Sequence, residues 1–159
     1  MKSAVFLKKH GLNRARDVIK QASDYAVYFR DMDSVCSPNE VLYYLWWEGE
    51  LITFDTEKLR WVKSIYHDDN KYILDQLCEL SELKRLIYSH EFVEYMGGVD
   101  KAKRDADQLE KSARFMHCMS RVPDISIEPV DENEIRGQAA RLKKAIADVE
   151  ACHPFLNKP

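Results

Sequence analysis

The 159 residues are 45% hydrophobic and 32% charged, with a net charge of −3, which fits one globular domain and excludes a disordered tail or a strongly basic nucleic-acid arm. No apolar run approaches the roughly 18–20 residues that span a bilayer. The start offers only Ala4-Val5-Phe6-Leu7 where a secretory signal needs about 7–15 apolar residues, so no leader is read and a cytoplasmic location is expected. Cys36, Cys78, Cys118 and Cys152 are then expected to be reduced.

Residues 3–22 read as helix with a break near Gly11, because Leu12, Ala15, Val18, Ile19 and Ala22 recur at helical spacing. Over 25–30 the pattern changes to strand-like alternation of Tyr25, Val27 and Phe29 with Ala26, Tyr28 and Arg30. Val41 to Trp47 and Glu50 to Phe54 are two aromatic or β-branched runs joined through Glu48-Gly49, which predicts a hairpin. Leu59 to Ile65 supplies a further strand, making an antiparallel meander of three or four strands. One signal conflicts with this. Ser37-Pro38-Asn39-Glu40 is a good helix start and would turn 38–47 into a short helix; the strand reading is favoured over it.

Residues 68–96 read as helix, with Ser81 as a candidate N-cap and a stripe of Leu83, Leu86, Ile87, Val93 and Met96. Gly97-Gly98 should stop it. A helix over about 99–120 carries Val99, Ala102, Ala106, Leu109, Ala113, Met116 and Met119 on one face, with Phe115 one position off, where it would widen the stripe. Residues 121–130 read as a loop, and Asp131 with Glu134 resembles a capping pair. The last helix carries Ile135, Ala139, Leu142, Ile146 and Val149 at alternating spacings of four and three, a coiled-coil-like seam.

The expected fold is therefore α+β and predominantly helical. A helix precedes a small antiparallel, aromatic-rich sheet at about 25–66, and a C-terminal helical bundle follows. The whole of 1–159 is read as one domain, with a helix-plus-sheet subregion at 1–66, a helical subregion at 67–152 and a frayed tail at 153–159. The C-terminal helices can bury their stripes against one another or against a second copy, which makes a homo-oligomer the next simplest solution.

No chemistry-bearing motif emerges. No Cys or His pair has zinc-ligand spacing. His117-Cys118 and Cys152-His153 end consecutive helices, so in an antiparallel hairpin they lie roughly 30 Å apart. There is no nucleophile elbow and no glycine-rich phosphate loop. The acidic pairs Asp31 with Asp33, Asp68 with Asp69, and Asp131 with Glu132 and Glu134 sit at element ends, where caps and solvated turns are the default. No catalytic residue, metal or cofactor is expected, and the chain is not read as an enzyme.

The distinctive feature is the aromatic cluster Tyr43, Tyr44, Trp46, Trp47, Phe54, Trp61 and Tyr66. In a strand, Tyr43, Leu45 and Trp47 share one face and Leu42, Tyr44 and Trp46 the other, so both faces are apolar. Either both are covered, or one stays open and anchors a partner. Tyr44, Trp46, Trp47 and Trp61 are the candidate protein-interaction residues, because Trp and Tyr dominate hot spots. The alternative is a nucleic-acid interface that stacks bases on the aromatics, with Arg60, Lys63, Arg141, Lys143 and Lys144 as candidate contacts.

Four stretches carry a resemblance: Phe6-Leu7-Lys8-Lys9-His10-Gly11-Leu12-Asn13-Arg14-Ala15-Arg16, then Glu82-Leu83-Lys84-Arg85-Leu86-Ile87-Tyr88-Ser89-His90-Glu91-Phe92-Val93-Glu94, then Gly97-Gly98-Val99-Asp100-Lys101-Ala102-Lys103, and last Leu142-Lys143-Lys144-Ala145-Ile146-Ala147-Asp148-Val149-Glu150. Together they resemble small accessory proteins from the early regions of lambda-like bacteriophages. The matching residues are helix faces and a helix stop, with no catalytic signature. The resemblance implies a non-enzymatic accessory protein in a bacterial host cell. Its partner would be a host or competing-phage protein, in host takeover or counter-defence. The alternative reading is a nucleic-acid-binding accessory factor.

Overall fold

The computed structural model describes residues 2–32, 40–63, 74–119 and 132–152. The helix-start residues Ser37 to Asn39, Cys36, Tyr66, the 121–130 loop, Asp131 and the tail from His153 lie outside the described residues. The architecture is α+β and mainly helical, as the sequence predicts. Helix α1 (Lys2–Gln21) is followed by strands β1 (Tyr28–Asp31), β2 (Val41–Trp47), β3 (Glu50–Asp55), β4 (Arg60–Lys63) and β5 (Cys78–Glu79). Helices α2 (Leu80–Tyr95), α3 (Val99–Met119) and α4 (Glu132–Cys152) complete it. The chain divides into two compact units, 1–87 and 88–159.

In the first unit, the strands form an antiparallel sheet in the order β4-β3-β2-β1-β5. Residues 41–47 are strand, which resolves the conflict at this position against the helix. The alternating side chains decide it: Tyr43 and Leu45 bury one face while Tyr44 buries the other. The turn from α1 to the sheet departs from the sequence reading. Tyr25 is not in a strand; it lies in a turn with positive φ and is exposed. The helix expected over 68–96 is interrupted: residues 68–73 lie outside the described residues, Leu74 is helical, and after strand residues Cys78 and Glu79 a helix runs over Leu80–Tyr95. Cys78 and Glu79 extend the sheet instead, pairing with Phe29 and Tyr28 along the open edge of β1. Ser81 accordingly sits inside α2 and not at its cap, and its hydroxyl bonds the Glu79 carboxylate.

Helix α1 covers one face of the sheet. It is two helical segments joined at a kink at Gly11, where the break was expected. Phe6 meets Phe29 edge-on at 4.9 Å. The Tyr43 hydroxyl donates to the Val18 carbonyl at 2.9 Å, and the Ser3 hydroxyl donates to the Glu79 carbonyl at 3.3 Å. Burial raises the Tyr43 phenol above its ordinary pKa, with Arg14 opposing. On the other face of the sheet, Tyr44, Leu51 and Leu77 form a small core with Tyr28 and Leu42 packed on it.

In the second unit, the end of α2 packs with α3 and α4 around Val93, Ala102, Ala106, Leu142, Ala145, Ile146 and Val149. Helices α3 and α4 run antiparallel, as the cross-pairs His117 with Glu132, Glu110 with Lys143 and Lys103 with Glu150 require. The apolar stripes are spent on one another within this bundle. Phe115 does not widen the α3 stripe: it points to solvent at 61% exposure. Inside the bundle, the Ser89 hydroxyl donates to the buried Asp148 carboxylate at 2.8 Å, which satisfies a charge that would otherwise be costly to bury.

Gly97 and Gly98 end α2 with a double hydrogen bond, Gly97 N–H to Glu94 O and Gly98 N–H to Val93 O, both at 2.9 Å. That is the Schellman pattern, and both glycines take positive φ (92° and 93°). Gly137, by contrast, occupies the interior of α4 with an ordinary backbone and no atom within 4 Å of where a Cβ would stand. Gly137→Ala should therefore stabilise the protein by about 0.5–1 kcal/mol, read by thermal or urea unfolding. A loss of stability would show that the helix is distorted at this point.

Candidate functional site

The β2–β3 hairpin ends in the two-residue turn Glu48-Gly49, and both residues have positive φ (51° and 82°). This is the type I′ geometry whose twist matches the flanking strands. Glycine adopts it freely and glutamate does not, so Glu48 carries strain. Glu48→Asn, at an exposed position, is expected to raise stability by about 0.5–1 kcal/mol. Unchanged or lowered thermal stability would speak against a strained turn.

Behind the turn stand Trp46 and Trp47, which are 44% and 62% exposed. Being consecutive in a strand, they point to opposite faces. Trp47 lies on the face that α1 covers further along, at Phe29 and Tyr43; the register places Ile52, Phe54 and Trp61 on that same face. Phe54 and Trp61 pack edge-on at 5.3 Å, and both are half-buried. Trp46 lies on the opposite face, opposite Leu51. Tyr44 shares that face but is only 1% exposed and belongs to the core, so it offers no contact surface. The candidate surface therefore shrinks to Trp46 and Trp47 at the β2–β3 turn, while Trp61 lies toward the β3–β4 turn at the other end of β3.

Charges of both signs lie along β3, at its two ends. Lys63 pairs with Glu50 at 2.5 Å, and Lys58 with Asp55 at 3.4 Å. The Lys58 backbone N–H, helped by its ammonium group and the Glu57 N–H, holds the Asp55 carboxyl below the usual range and fixes the β3–β4 turn. Of the candidate nucleic-acid contacts, Arg60 is exposed and Lys63 is engaged by Glu50. In the second unit, Lys143 is engaged by Glu110, Arg141 bonds the Gly137 carbonyl of its own helix, and Lys144 is exposed.

Sequence reading missed a polar contact between α1 and the sheet. His10 Nε2 lies 2.8 Å from Asp31 Oδ2, with Lys9 at 3.6 Å, and Phe6 packs on the imidazole at 4.6 Å. No spacing rule could find it, since the partners are far apart in sequence and meet only when α1 lies on β1. On the same face, burial pushes the Cys78 thiol up to about 11, so it stays protonated and unreactive at neutral pH. Among the described residues, no three His, Cys, Asp or Glu side chains are grouped to hold a metal ion, and no helix is long and apolar enough to cross a membrane.

No protein-family model, curated protein or solved structure matches this chain.

Proposed function

We propose that this chain is a non-enzymatic interaction protein that captures a partner protein with the tip of the β2–β3 hairpin. The observation that carries the reading is the pair of adjacent, solvent-exposed tryptophans, Trp46 and Trp47, held forward by a tight turn. Large aromatic side chains left open at a rigid tip gain the most from a partner that removes them from water. The resemblance of the helical segments to lambda-like early accessory proteins supports a host or competing-phage factor as that partner, met in the bacterial cytoplasm. The nucleic-acid reading has less behind it, because Lys63 and Lys143 are each already engaged by a carboxylate.

The test is a tagged pull-down from bacterial lysate, with and without nuclease, read by mass spectrometry and repeated from phage-infected cells. A stoichiometric protein that survives nuclease and is lost with the tryptophans supports the proposal. Recovery of nuclease-sensitive material alone replaces it with the nucleic-acid reading.

A further inference from the structure

We propose that the groove between α3 and α4 binds a phosphate dianion, either free or as a small monoester. The groove has a volume of about 310 Å³. Its floor is alanine: Ala113 and Ala139 are each 2% exposed, and Ala140 lies beside them. Small side chains on the floor leave room above the helix surfaces, and the walls carry charge. Arg114 comes from α3; Arg136 and Lys143 come from α4. Lys143 is paired with the one carboxylate in the lining, Glu110, which leaves the two arginines to meet an anion.

The cations converge. Lys143 bonds Glu110 at 2.5 Å, and with Arg114 and Arg136 it holds the Glu110 carboxyl below the usual range. All three therefore act on one point from both helices. Arg136 gives one nitrogen to Glu132 at 2.6 Å and keeps further N–H donors. Arg114 makes no hydrogen bond or ion pair among the described residues. Two guanidinium forks lining one groove from two helices suit a tetrahedral oxyanion. The floor adds no donor, because helix-interior N–H groups are spent on their own carbonyls. Recognition would therefore rest on charge and on the arginine forks. Glu110 to Arg114 is one helical turn, roughly 6 Å, which is room for one phosphate and not for a run of backbone phosphates.

The test is a titration of the full ¹⁵N-labelled chain with inorganic phosphate at low ionic strength, followed by NMR, with chloride of equal ionic strength as control. The side-chain signals of Arg114 and Arg136 should shift and saturate with phosphate. Arg114→Ala should weaken binding about fivefold, the value of one exposed ion pair, and Glu110→Gln should strengthen it. Both side chains lie at the surface, so circular dichroism should stay unchanged. Phosphoserine titrating like phosphate marks a monoester as ligand, whereas phosphate alone marks the free anion. Shifts no larger than with chloride, or an affinity indifferent to Arg114→Ala, would overturn the proposal. So would a single-stranded oligonucleotide binding more tightly per phosphate than phosphate itself.

Discussion

Phe29→Ala is expected to cost about 3–5 kcal/mol of stability. Phe29 is fully buried, sits edge-on to Phe6, and has Tyr43 on one side and Cys78 on the other across the sheet. It is the point where α1, the meander and β5 meet. Removing the ring leaves a cavity that the backbone ladders on both sides keep from collapsing. Against a total of about 5–15 kcal/mol for an ordinary domain, the variant should be partly unfolded at moderate temperature. Urea unfolding followed by circular dichroism reads the effect. Phe115→Ala is the control: its ring is 61% exposed, and its removal should change stability by no more than about 0.5 kcal/mol. A loss below about 1 kcal/mol for Phe29→Ala would mean that α1 does not pack on the sheet.

Trp46→Ala combined with Trp47→Ala should show the reverse behaviour. Partner capture should fall by more than about 100-fold, since two hot-spot side chains contribute on the order of 2 kcal/mol each. Stability should change little, because much of each indole is already in water. The single variants carry more information. Trp46 and Trp47 point to opposite faces of the sheet, so a partner lying flat on one face loses affinity with only one of them. A partner that grips the hairpin tip from both sides loses affinity with either. If the double variant unfolds, the tryptophans are structural and the proposed surface is wrong.

The sequence by itself determined the elements whose residues carry their own periodic or turn signal. The 3.6-residue stripes of α1, α3 and α4 are legible because one helix face must be apolar to be buried. The stop at Gly97-Gly98 and the turn at Glu48-Gly49 are legible because both need positive φ, which glycine accepts without a steric cost. Alternation in 41–47 outweighed a competing helix signal, because each of its two faces buries against a different layer.

Tertiary structure decided the rest. β5 is two residues long, too short for any period, and exists because β1 offers it an open edge. Alternation shows that Tyr44 and Trp46 share a face, but not that the core closes over Tyr44 and stops short of Trp46. Arg114 and Arg136 had no signal at all, and they line one groove only because α3 and α4 pack antiparallel. The same holds for His10 with Asp31 and for Ser89 with Asp148. Local pattern reports which face a residue shares with its neighbours in the chain. What covers that face, and which distant charge arrives beside it, follows only from how the elements pack.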